Sequence, residues 1–249
     1  MSAYENLCKA VINAESEVRF NISMLDDVLQ LFYTSFPLSA LVDKVEKNED
    51  NSGVTLTYKY SFDEHNKRVE AFEAKVKEIE EYCYNGTLNK NIYAIRLYNY
   101  ITSSIAESSD ATIGAYDTII NGEGTMNSYA NMFEYLLLQA DIPAYHILAE
   151  DAAGSAWSLS GAELDGEIYY FDMMTEFYTT EGKQLRYFGM TSEDVKNEGL
   201  TNLNYTDMNP AAEASSLYFD TCRSCVSWEI EGSNLLVTTS KGIVVEVAL

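Results

Sequence analysis

GTMNSYANMFEYLLLQADIP, residues 124–143, is the stretch whose reading decides the fold. A glycine turn leads into a segment with Tyr129, Met132, Phe133, Leu136 and Leu137 at helical spacing, and Asp141-Ile-Pro143 closes it. That periodicity predicts an amphipathic helix over 126–140. A turn feeding a helix N-terminus is a common mount for a nucleophile, because the exposed N–H groups there favour negative charge. The residue at the helix mouth is Met126, whose thioether has no proton to lose.

Downstream, three strands are expected: Ala144–Leu148, Ala156–Leu164 and Glu167–Asp172, with Asp165-Gly166 as a hairpin turn between the last two. Upstream, apolar spacing predicts helices over Asp63–Tyr82, stopped by Asn85-Gly86, and over Lys90–Ala106. Nearer the start, a short strand over Val18–Ile22 and a helix over Met24–Tyr33 precede two strands, Leu38–Val45 and Val54–Tyr60. The turn cluster Asn48–Gly53 joins those two into a hairpin. Beyond Thr175 the chain reads as looser, with a short helix near Ser192–Lys196 and two or three closing strands in WEIEGSNLLVTTSKGIVVEVAL. Helices first and an antiparallel sheet after them make the class α+β. The expected division is an N-terminal helix and hairpin segment (1–60), a core (61–210) and C-terminal β strands packed on it (211–249), ending in a hairpin.

Composition narrows function by exclusion. The 249 residues carry 39 acidic and 16 basic side chains, a net charge of −23. Phosphate binding needs a basic face, so the charge argues against nucleic acid and anionic membrane as partners, and no membrane insertion is expected. The excess reads as a solvated acidic surface. No apolar run approaches the roughly 18 residues a membrane helix requires. The opening MSAYENLCKAVINAESEVRF lacks the basic and apolar regions of a signal peptide, which fits either a cytoplasmic protein or one whose export signal has been trimmed.

Cys222-Arg-Ser-Cys225 is a lone CxxC. Zinc would want a second pair or nearby histidines, and His65 and His146 are distant in sequence. The pair leads into a strand, whereas a redox CxxC usually opens a helix. A structural role is expected ahead of a redox one, with metal last, and no cofactor is implied. Whether the two cysteines are bonded is left open.

Four pieces, in order, resemble bacterial transglutaminase-like domains of the papain-like superfamily. GEGTMNSYANMFEYLLLQADIPAYHI is similar to their nucleophile segment, a glycine turn followed by Cys, two residues and Tyr-Ala. Ser155-Ala156-Trp157 resembles their His-Ala-Trp strand. LDGEIYYFD, Leu164–Asp172, resembles their Leu-Asp-Gly-x-Trp-Tyr-x-x-Asp hairpin, and Tyr187–Ser192 the segment after it. The resemblance spans roughly residues 55–200, and the helices between Asp63 and Ala106 suit its upstream part.

The departures fall on the chemistry. The family's Cys corresponds to Met126, its His to Ser155 and its Asp to Asp172. The glycine two residues after the Cys becomes Ser128, and two extra residues near Gly161-Ala162 lengthen the hairpin arm. In the intact arrangement the helix terminus and an imidazolium lower the thiol pKa, the imidazole serves as general acid, and the carboxylate orients it. Methionine forms no acyl-enzyme, and a serine hydroxyl is no base near neutrality.

The resemblance therefore implies a transglutaminase-like pseudoenzyme that binds a peptide, protein or glycan, or acts as a scaffold. Met126, Ser155 and Asp172 are the degenerate triad positions, and Thr125, Ser128, Tyr129 and Trp157 are candidate linings of the former cleft. Met126 reads as core filler ahead of a binding floor, Trp157 as a structural strand residue, and Asp172 as bonded to backbone or to Ser155. His146 reads as a hydrogen-bonded strand histidine. Two rivals stand: an active hydrolase or acyltransferase with an unrecognised nucleophile, and a purely structural accessory domain. The family also implies an exported or cell-surface location.

Overall fold

The computed structural model describes residues 2–21, 23, 25–49, 52–84, 86, 89–180, 183–205, 214 and 218–249. The chain divides into two compact units, Met1–Lys77 and Glu78–Leu249.

In the first unit, α1 (Ala3–Ile12) opens with a reciprocal cap in which Ser2 and Glu5 satisfy each other's backbone N–H. β1 (Glu17–Arg19), α2 (Leu25–Ser35), β2 (Val42–Lys47) and β3 (Gly53–Tyr58) follow. The strands form an antiparallel sheet in the order β1-β3-β2, with the expected hairpin between β2 and β3. The second strand begins at Val42 rather than Leu38, because Pro37 starts a 3-10 turn through Leu41. The opening helix α1 was not expected. Ile22 and Met24, at the ends of two expected elements, lie outside the described residues. α3 (Phe62–Tyr84) runs as its spacing predicts. Gly86 beyond it has a positive φ of 81°, while Asn85 lies outside the described residues.

The second unit carries the candidate site. Its elements are α4 (Lys90–Ser104), β4 (Ala106–Glu107), α5 (Ala115–Asn121), β5 (Glu123–Gly124), α6 (Met126–Gln139), β6 (Ala144–Glu150), β7 (Ala156–Leu164), β8 (Glu167–Phe171), α7 (Met173–Thr180), α8 (Ser192–Asn197), β9 (Thr201–Tyr205), β10 (Cys225–Glu231), β11 (Asn234–Thr239) and β12 (Val244–Ala248). Four antiparallel strands in the order β8-β7-β6-β9 form the main sheet. Helices against an antiparallel sheet make the fold α+β. The short elements α5, α7 and β9 were not expected, since each is too brief to show a period.

Strand alternation sorts the two faces of the main sheet. On one face Ser160 Oγ donates to Ala130 O of α6 at 3.2 Å. On the other, Ile147, Leu159, Tyr170, Tyr187, Met190 and Val195 cluster, with Trp157 packed against them. Rings bind the core together: Phe133–Phe171 at 5.1 Å, Phe171–Phe188 at 4.9 Å and Phe188–Phe219 at 5.1 Å between centroids. The C-terminal strands form a three-stranded antiparallel sheet, β10-β11-β12, one strand more than a hairpin.

Candidate functional site: the mouth of helix α6

Met126 is the first residue of α6. Thr125 caps the helix, its Oγ accepting from Ser128 N at 3.3 Å while Ser128 Oγ accepts from Thr125 N at 2.7 Å. Gly124 before them is set by close approach, since a Cβ there would lie 2.5 Å from the Tyr129 ring. Met126 is half-buried, and its sulfur accepts a hydrogen bond from the Ser158 N–H of β7 at 3.4 Å. The helix mouth is therefore held directly against the start of β7.

Asp172 follows the last residue of β8 and is 4 % exposed. Its Oδ2 accepts from the Trp157 indole N–H at 2.9 Å and from the Thr175 hydroxyl at 2.7 Å, and its Oδ1 accepts from Thr175 N at 2.9 Å. Burial raises its pKa above the usual carboxylate value, opposed by the donors from Thr175, Trp157 and Met174.

Ser155 is not the group that meets Asp172. It is exposed, in the turn before β7, and its N–H donates to Asp151 Oδ1 at 2.8 Å. The cause lies in the pairing of β7 with β8, which runs unbroken from Ser160↔Phe171 to Leu164↔Glu167 with no bulge. In this register the position two residues inward from Ser155 meets the carboxylate. That position is Trp157. An indole N–H can occupy the orienting carboxylate as an imidazole N–H would, but it has no lone pair to accept a proton.

Two of the expected cleft linings are core instead. Ser128 is buried, and Thr118 Oγ donates to its hydroxyl at 2.8 Å. Tyr129 is buried and donates its hydroxyl to Ile105 O at 3.0 Å. The unforeseen α5 and β4 supply those partners or lie next to them in the chain, so neither residue was placed by sequence alone. Thr125 and Trp157 are half-buried, and Trp157 precedes the Ser158 whose N–H meets the Met126 sulfur. His146 is buried in β6, opposite Ser160, beneath α6 rather than at its mouth.

Burial pushes Cys8, Cys83 and Cys222 up to about 12 and Cys225 up to about 11, leaving all four protonated near neutrality. All four are free thiols in this structure. Among the described residues no cluster of three or more His, Cys, Asp or Glu could hold a metal ion, and no helix is long and apolar enough to cross a membrane.

Behind Asp172 sits a second buried carboxylate. Glu176 Oε2 accepts from the Tyr98 hydroxyl at 3.0 Å and from Tyr187 N at 2.8 Å, and Tyr98 also donates to Asp172 O at 3.2 Å. Burial raises the Glu176 pKa, opposed by the Thr180, Tyr187 and Tyr98 donors. An acid whose folded pKa is raised favours folding most when protonated. Its contribution is full below the unfolded pKa, roughly 4.3, and is lost as pH rises through the folded value. Glu176→Gln keeps an acceptor for Tyr98 and removes this loss. The stability advantage of the variant over the parent is therefore expected to be nil near pH 4 and to grow towards pH 8, as read from urea midpoints at each pH.

No protein-family model matches the chain, and no curated protein matches it by sequence. Its fold is similar to transglutaminase-like and cysteine-protease structures. A TGase shares 8 % identity at a TM-score of 0.38, over 47 % of this chain and 34 % of its own. A provisionally assigned cysteine protease from Cytophaga hutchinsonii shares 16 % identity at a TM-score of 0.36, over 58 % and 52 %. EGTA-treated LapG of Legionella pneumophila shares 11 % at 0.36, over 75 % and 84 %. The chain spans about a third of the length of the TGase and about half that of the Cytophaga protein. At these TM-scores the reading of the site rests on this chain's own geometry.

Proposed function

We propose that this domain is a transglutaminase-like pseudoenzyme, retained for binding a peptide, protein or glycan or as a scaffold. The observation that carries the reading is the Trp157 indole N–H on Asp172 at 2.9 Å, beside a helix that begins with a thioether. The carboxylate keeps an orienting bond, yet neither partner can gain or lose a proton. In a serine protease, removing triad members costs roughly six orders of magnitude in kcat. The rival reading is an active cysteine-independent hydrolase or acyltransferase with an unrecognised nucleophile.

The test is a transamidation and amide-hydrolysis assay on the full chain, run beside labelling with an electrophilic amide probe. No turnover and no rapid single-site labelling are expected. Turnover that follows the protein through purification and is titrated by the probe at one residue would overturn the pseudoenzyme.

A further inference from the structure

Cys222 and Cys225 take no part in that site, and their placement is specific. Cys222 sits in a 3-10 turn, Asp220–Ser224, and Cys225 opens β10. The Cys225 N–H donates to Cys222 O, closing a four-residue turn. Such a turn holds its end Cα atoms within about 7 Å, and disulfides span Cα distances of about 4.4–6.8 Å. In 3-10 winding, side chains three residues apart eclipse one another. Both cysteines are buried, while Arg223 between them faces α8 with 3.2 Å ion pairs to Asp194 and Glu198. Immediately before the turn, Phe219 is buried between Tyr169, at 5.0 Å, and Phe188, at 5.1 Å.

We propose that Cys222 and Cys225 form a disulfide within this turn when the chain folds in an oxidising medium, fixing the turn that joins the buried Phe219 to β10. Oxidised glutathione is a sufficient oxidant. One cysteine thiolate attacks its disulfide and expels a glutathione thiolate, and the second cysteine then displaces the bound glutathione. Two protein thiols lose two protons and two electrons, and one glutathione disulfide becomes two glutathione thiols. In the folded chain both thiols are protonated near neutrality, so closure belongs to folding or to opening of the turn. The same burial then shields the bond from reductants. It is a structural lock rather than a fast switch.

The experiment refolds the full chain in a glutathione redox buffer and, separately, in excess dithiothreitol, then alkylates free thiols and digests with trypsin. Cleavage after Arg223 separates the two cysteines, so a disulfide holds two peptides together with the loss of two hydrogens. That linked pair is expected after oxidative refolding, with Cys8 and Cys83 alkylated. Dithiothreitol should open it about tenfold more slowly in the native protein than in urea. Cys222→Ser, or Cys225→Ala where the first variant does not fold, should abolish the linked pair. Alkylation of both cysteines after oxidative refolding, or linkage of either to Cys8 or Cys83, would overturn the proposal.

Discussion

Met126→Cys combined with Trp157→His is expected to react with iodoacetamide about tenfold or more faster near pH 6.5 than Met126→Cys alone. The expectation follows from where the charges fall. A cysteine at position 126 would sit at the first residue of α6, where the helix terminus favours a thiolate. A histidine at 157 would meet the same Asp172 oxygen that now accepts the indole N–H, and that bond would hold it as an imidazolium. Cysteine thiols in such settings fall from about 8.5 to between roughly 3.5 and 7.5.

The informative control is Met126→Cys with Ser155→His. Position 155 lies two residues before 157, in the turn ahead of β7, and is engaged with Asp151. That variant should alkylate like the single mutant. If the Ser155→His pair were the faster one, or if all three proteins reacted at one rate across pH 5 to 9, the assignment of Trp157 to the imidazole position would fall.

Phe219→Ala is expected to destabilise the second unit by about 3–5 kcal/mol. The ring is 1 % exposed and lies edge-on to Tyr169, Phe188 and Tyr218. It also covers Gly189, whose positive φ of 64° and missing Cβ let the ring approach; a Cβ there would stand 2.6 Å from it. In a unit of this size each kcal/mol moves Tm by about 2–4 °C, so a fall of about 10 °C should be visible by circular dichroism. Hydrogen exchange should speed most in β11, whose Leu235 and Val237 are buried. A loss below about 1 kcal/mol would show that the ring does not anchor the C-terminal sheet.

The sequence alone determined the elements that frame the site. Apolar residues every three or four positions specified α6, because that period places them on one helical face. Asp165-Gly166 specified the β7–β8 hairpin, and both residues have positive φ, 53° and 81°, the backbone form such turns require. The thioether at the helix mouth was also legible, since Met126 follows the glycine turn in the sequence. Only the tertiary structure decided which residue faces Asp172. The choice depends on hydrogen bonds to β8, and in their continuous register Trp157 rather than Ser155 meets the carboxylate. For the same reason α5, α7 and β9 escaped the sequence. They are short segments held by distant partners, as β9 is by β6, so their stability is written in contacts rather than in periodicity.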